Sequence, residues 1–245
     1  MDILGIDFGG SGIKGALVDI NKGEITTERL RLPTSEKSKP KEAAGIINEI
    51  CKAFQWKGKM GVGFPAVIKD GVSLSAANIN KKWVGMDVKA LLQKYTGCDV
   101  FVVNDADAAG LAEMTFGAGR DYQKGVVLML TLGTGIGSAI FLDGKLLPNC
   151  ELGHLQIRGK MAEHRASDAV RQAKDLSWKA WSKRLQEYLS TVEKLFNPDV
   201  IIIGGGVSKN HEKFFPLINT NAILLPAHFF NLAGIIGAAM FASQK

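Results

Sequence analysis

Cysteine is scarce in this chain. Cys51, Cys98 and Cys150 stand far apart and none belongs to a CxxC pair. That spacing argues against a disulfide framework and against a zinc site, and makes a reducing cytoplasm the default expectation. No apolar run reaches the roughly 20 residues that would span a bilayer. Met1-Asp2-Ile3 passes at once into a strand pattern, where a secretory leader would place a charged and then an apolar region. Neither a membrane partner nor a leader is expected, and no linker or low-complexity tract interrupts the chain. Two phosphate-binding signatures are missing as well. The loop DFGGSG runs on into Ile13-Lys14, so the GK[ST] of a Walker loop is absent. Gly204-Gly205-Gly206 follows an apolar strand but lacks the GxGxxG spacing and the following acidic residue of a dinucleotide fingerprint. The net charge of +6 admits a polyanionic partner without requiring one.

Glycine, in contrast, is abundant, with 28 among 245 residues, and it comes in clusters. Clustered glycine marks loops where backbone approaches a ligand closely. The length suits one large or two small domains. Residues 2–7 read as a strand ending in Asp7 and then Phe8-Gly9-Gly10-Ser11-Gly12. A second strand, 13–20, turns through Asn21-Lys22-Gly23 into a third, 24–32, with the Asn and Gly placed for positive φ. Apolar residues at Ala43, Ile46, Ile47, Ile50, Cys51 and Phe54 keep the helical period, which makes Cys51 a core residue. The strand 59–64 and an irregular loop, 75–83, follow. That loop carries amides and the indole of Trp83, suited to hydrogen bonding and stacking on a sugar. A helix over 86–95 leads to the strand 100–103.

The second half repeats the opening about 125 residues later. Strand 126–132, the bend Gly133-Thr134-Gly135, strand 138–142, the tight turn Asp143-Gly144 and a further strand have the same layout. Two similar halves, each with a glycine bend able to offer N–H groups to phosphate oxygens, suggest a phosphate chain held between two domains. Residues 158–184 then hold eight Lys/Arg against three Asp/Glu, either a solvated face or a basic groove. A long helix over 176–196 places Trp178, Trp181, Leu185, Tyr188, Leu189, Val192 and Leu195 on one core stripe, and Pro198 stops it. A strand at 222–225 and an Ala/Gly/Ile helix over 232–242 close the chain.

The stretch Phe101–Gly119, FVVNDADAAGLAEMTFGAG, joins a buried strand to a helix. Asp105 or Asp107 can cap that helix. In an open α/β sheet, ligands collect beyond the carboxyl ends of the strands. A carboxylate there can serve as a general base toward a hydroxyl within reach. From the pair alone both readings stand.

The order DFGGSGIKGALVD, FPAV, AANI, NDADAAGLAEM, TLGTGIGSA, ELGHL, AEHRAS and GGGVSK covers nearly the whole chain. In this order the chain resembles the sugar kinases of the ROK family (repressor, open reading frame, kinase), and within it the branch that uses polyphosphate. The resemblance implies an α/β, two-lobed hexokinase/actin-like (ribonuclease H-like) fold, each lobe a mixed sheet flanked by helices. Residues 1–108, completed by the helix 232–245, would form a smaller lobe and residues 109–231 a larger one. It implies that glucose is phosphorylated at its 6-hydroxyl with polyphosphate or ATP as donor, Asp105 being the base. An ATP-dependent hexose or N-acetylhexosamine kinase is the near alternative. Asn104, Glu151, His154, Glu163 and Asn78 would hold the sugar. Gly9, Gly10, Ser11, Lys14, Gly133, Thr134, Gly135, Gly205 and Gly206 would hold the donor, and Asp7 would meet Mg²⁺ through water. Many relatives carry a cysteine zinc cluster after the ExGH motif; residues 155–170 here contain no cysteine, so no zinc site is expected. Asp107 stands where most relatives have Asn, as in the polyphosphate branch. Lys14, Lys81, Lys82 and the run from Arg158 to Arg184 are the candidates for a polyanion groove. A homodimer is the family habit. Repressors of the same fold carry a helix-turn-helix domain, for which a strand beginning at residue 2 leaves no room, so no nucleic-acid partner is expected.

Overall fold

Eight residues from Asp2 to Gly9 form the first strand, β1, of a computed structural model that describes residues 1–9, 12–35, 38–77 and 79–245. β1 pairs antiparallel with β2 (Gly12–Asp19), from Asp2 opposite Asp19 to Gly9 opposite Gly12. In the next turn only Gly23 is left-handed, at φ 70°. The single third strand expected over 24–32 is instead two, β3 (Glu24–Ile25) and β4 (Leu30–Pro33), both paired with β2. Between them the Thr27 hydroxyl accepts the Leu17 N–H at 3.1 Å, a side chain replacing a ladder bond.

The chain divides into two compact units, Met1–Ala112 with Leu232–Lys245, and Glu113–Asn231. In the first, α1 (Pro40–Ala53) leads to β5 (Lys59–Phe64) and a small ribbon of β6 (Ile68–Lys69) and β7 (Val72–Ser73). Then come α2 (Val88–Thr96), capped by Asp87, and β8 (Asp99–Asn104). The sheet order is β3-β2-β1-β5-β8, and β1, β5 and β8 run parallel. Cys51 is buried as expected, and its thiol stands 4.0 Å from that of Cys98, 47 residues further on. Trp83 is fully buried. Its ring packs on Phe8 and Phe64 with centroids 5.7 and 4.8 Å away, and its N–H donates to the Ser38 carbonyl. The expectation that this indole stacks on a sugar is therefore corrected: an apolar ring gains more in the core, where truncating it would cost about 3–5 kcal/mol.

The closing helix α7 (Ala233–Ser243) is apolar on every side and belongs to this unit, lying on β1, β5 and β8. Close approach requires glycine. A Cβ on Gly61 would run into the Ala238 carbonyl, and one on Gly237 into the Ala108 carbonyl.

In the second unit β9 (Val126–Leu132) turns into β10 (Ile136–Leu142) and β11 (Lys145–Leu147). Asp143 and Gly144 take φ 50° and 72°, the backbone of a two-residue hairpin turn. A ribbon of β12 (Gln156–Ile157) and β13 (Lys160–Met161) precedes α4 (Glu163–Ala166), α5 (Asp168–Ala173) and α6 (Trp178–Phe196). β14 (Val200–Gly204) and β15 (Ile223–Pro226) complete the sheet, in the order β11-β10-β9-β14-β15. Both sheets thus set an antiparallel hairpin beside two parallel strands, and the repeated layout of the sequence is a repeated topology. α6 is capped by the Ser177 hydroxyl and ended by Asn197 at φ 44°. Its stripe holds except at Leu195, which is 58% exposed. Phe196, one turn beyond Val192, continues the spacing 185-189-192-196 and packs into the core in its place.

Candidate functional site

The first unit offers its residues at the carboxyl edge of its sheet. Asp7 on β1 stands opposite Gly63 on β5, and Gly63 opposite Val103 on β8. Asp7 and the Asn104–Asp105 pair therefore lie two strands apart, about 10 Å, on the same edge. The Asp7 carboxylate accepts from the Lys14 ammonium at 2.8 Å, across the β1–β2 ladder. Its other oxygen lies 3.1 Å from the point where a Cβ on Gly234 would stand, so α7 leaves it room. Gly9 sits in register at the mouth of the hairpin, while Gly10 and Ser11 at its tip lie outside the described residues, as does Asn78.

β8 ends at Asn104, and α3 (Asp105–Phe116) starts at once, carrying the chain toward the second unit. The cap was expected from Asp105 or Asp107; Asp105 does accept one first-turn N–H, and Asn104, one residue earlier, accepts two. Its Oδ1 accepts the N–H groups of Ala106 at 2.9 Å and Asp107 at 3.1 Å, and its Nδ2 donates to the Ala66 carbonyl at 3.1 Å. The side chain one residue earlier reaches the first-turn donors that the cap must satisfy. Asn104 is buried, and among the described residues its amide nitrogen donates only to Ala66, which leaves one N–H. Asp105 is half-buried at the helix start, and its Oδ1 also accepts the Ala106 N–H at 2.8 Å.

In the second unit Glu151, His154 and Glu163 come together. His154 Nε2 is 4.0 Å from Glu163 Oε1, and burial raises the Glu151 carboxyl above its ordinary value, with His154 opposing that shift and Glu163 adding to it. Glu163, 7% exposed, also accepts the Ile136 N–H at 3.4 Å. Two contributors escaped the sequence reading. The Ser138 hydroxyl donates to the Cys150 carbonyl at 2.6 Å and accepts the Leu152 N–H at 2.8 Å, pinning the Glu151 segment to β10. His164 stands 3.6 Å from the same Glu163 oxygen as His154. Ser138 sits inside the TLGTGIGSA motif and His164 inside AEHRAS, beside Glu163, so in both cases a signal was available.

The glycine bends of this unit leave one sheet edge, since Thr131 near the end of β9 is in register with Gly204 at the end of β14. The Gly133 N–H is taken by the Gly135 carbonyl at 3.0 Å, and the Gly133 carbonyl accepts from Ala169 N–H, also at 3.0 Å. Thr134 is the residue this tight bend encloses. Gly205, at φ 81°, abuts the Leu132 backbone so closely that no side chain fits.

Magnesium keeps several waters and is held by one or two carboxylates plus substrate phosphates. Among the described residues no group of three or more His, Cys, Asp or Glu is placed to hold a metal ion. One carboxylate, Asp7, with an oxygen spared by Lys14, fits an ion carried chiefly by donor phosphates. The polyanion candidates also separate. Lys14 is paired with Asp7, and the Lys81 ammonium donates to the Ala76 carbonyl at 2.8 Å. Arg158 and Arg165 both bind Glu187. Among the described residues no helix is long and apolar enough to cross a membrane.

Residues 3–169 match the ROK family. A polyphosphate glucokinase of Mycobacterium tuberculosis (strain CDC 1551 / Oshkosh) is 43% identical over 238 residues, 97% of this chain and 89% of its own. The crystal structure of the inorganic polyphosphate/ATP-glucomannokinase of Arthrobacter sp. strain KM gives a TM-score of 0.96 at 46% identity, covering 100% of this chain and 99% of that one. A ROK family glucokinase of Streptomyces griseus, solved with glucose and AMPPNP, gives 0.81 at 23% identity over the full length of both, a likeness of fold alone. The chain, matched over most of its length, belongs to the ROK family.

Proposed function

We propose that this protein phosphorylates glucose at the 6-hydroxyl with inorganic polyphosphate or ATP as donor. The observation that carries the reading is likeness over nearly the full length, at 43% and 46% identity, to a polyphosphate glucokinase and a polyphosphate/ATP-glucomannokinase. In this reading Asp105 accepts the proton of the attacking hydroxyl. Its place at the head of α3, on the carboxyl edge of its sheet, supports the role. Glu151, His154 and Glu163 hold the other hydroxyls, joined by the remaining N–H of Asn104 and by Asn78, and so fix the attacking oxygen in line. The bends at Gly9–Ser11, Gly133–Gly135 and Gly205–Gly206 cradle the donor, with Lys14 beside the first. Magnesium, when bound, neutralises donor charge, and Asp7 would reach it through water. The enzyme works in the cytoplasm as a homodimer.

The test is a coupled assay for glucose 6-phosphate with ATP and with polyphosphate side by side, on the wild type and on Asp105→Asn. Both donors should support turnover. A general base is worth about 10² to 10⁴ in rate, and the variant should lose that much kcat while still binding glucose. Near-normal turnover would remove Asp105 from the role; turnover with ATP alone would make this an ATP-dependent hexose kinase.

A further inference from the structure

Three arginines of the 158–184 run are engaged elsewhere, Arg158 and Arg165 on Glu187 and Arg184 on the Arg165 carbonyl. A different pair is held at one point beside the glycine bends of the second unit. The Gly133 carbonyl accepts from the N–H of Ala169 in the first turn of α5. Two residues on, the Arg171 guanidinium lies 4.3 Å over the Trp178 ring, fixed by a 2.7 Å bond from its Nε to Asp168 Oδ1. From the other bend, Gly205 abuts Leu132 and begins a short helix, 206–213, whose last residue, Lys213, places its ammonium 5.6 Å over the same ring. Both bends therefore lead to one indole that carries two cations.

That indole is not a surface for a base. Phe214 stacks nearly parallel to it at 11°, and Trp181 meets it edge-on at 5.9 Å, so the ring is already lined on several sides. A guanidinium lying over a ring keeps its in-plane N–H donors available at its edge, and beyond the Nε bonded to Asp168 the Arg171 fork is suited to phosphate oxygens. Asp168 offsets part of the Arg171 charge, and Glu212 adjoins Lys213 in sequence; Lys213 itself is exposed and has no carboxylate bonded to it among the described residues.

We infer that Arg171 and Lys213, mounted on Trp178, bind phosphates of a polyphosphate donor that lie beyond those reached by ATP, and so favour long chains. The inference rests on the proposed use of polyphosphate. Its logic is a matter of length: ATP ends its charge at three phosphates, while polyphosphate continues as an unbroken row of anions. Cations removed from the reacting phosphate help only the second.

The test compares Lys213→Glu and Arg171→Gln with the wild type, using ATP, tripolyphosphate and a long polyphosphate at fixed salt. Lys213 is exposed, so its reversal leaves the fold intact even if the Arg171 variant packs less well. Each variant should raise KM for the long chain about three- to tenfold, with tripolyphosphate and ATP within twofold and kcat unchanged. An unchanged KM for the long chain, or an equal rise for ATP, would overturn the inference while leaving the polyphosphate reading in place. A wild type that accepts ATP alone would overturn both.

Discussion

At the scale of single residues, the most informative group is Glu151. Burial holds its carboxyl above the ordinary value of 4.5. An acid with a raised folded value binds its proton more tightly in the native than in the unfolded chain. Its protonated form therefore favours the fold at low pH, and that contribution is lost as pH rises from 4.5 through the higher folded value. Above that folded value the ionised side chain is held at a cost, which a residue with no ligand to bind would have no reason to bear. A carboxylate that accepts sugar hydroxyls, the role proposed for Glu151, does have one. Glu151→Gln should keep or raise Tm at pH 7, and raise KM for glucose roughly ten- to a hundredfold, the value of a hydrogen bond to a charged group. In the wild type KM for glucose should climb as pH falls toward 4.5 from above, and the glutamine variant should lose that acid limb. A variant that keeps the limb would assign it to another group.

Among elements, the end of α3 is tied down by one buried carboxylate. Glu113 is fully buried and accepts three backbone N–H groups, from Ala118 at 2.9 Å, His228 at 3.0 Å and Phe229 at 2.8 Å. It joins the turn after the helix to the loop after β15. In Glu113→Gln an NH₂ would face one of these donors, leaving a buried N–H unmet at about 3 kcal/mol. For a chain of this length that is roughly 6–12 °C in Tm. Thermal melts of the two proteins decide it, and an unchanged Tm would mean that the loop rearranges without loss. Nothing in the sequence singled out Glu113, because its partners lie 115 and 116 residues away in an irregular loop. The same limit explains what else was missed. Helix α6, the hairpins and the repeated strand layout were legible from local spacing, caps and turn residues. The Trp83 indole and the split of 24–32 depend on neighbours that local pattern does not name, whereas the Asn104 cap bonds only two and three residues on and was open to local reading. Of the candidate site, the glycine bends and Asp105 could be read from motif order, whereas the approach of His154 to Glu163, and the bonds by which Ser138 holds the Glu151 segment, required the fold.

For the molecule as a whole, two observations bear on the donor. Each sheet sets an antiparallel hairpin beside parallel strands, so the layout to which the proposed donor loops belong is present twice. The net charge is +6, modest for a protein handling a long polyanion. Attraction must then come from local groups and not from a large overall field. The screening length is about 10 Å at 0.1 M salt, so cations such as Arg171 and Lys213 act only on phosphates passing close to them. ATP touches few of these groups, and a long chain touches more. Raising salt from about 0.05 to 0.5 M should therefore lift KM for long polyphosphate steeply, KM for ATP weakly, and KM for uncharged glucose hardly at all. The slope for polyphosphate should grow with chain length and then level off once the chain exceeds the basic path. Equal salt slopes for ATP and for long polyphosphate would mean that both donors meet the same few charges, and that no path for a longer chain exists.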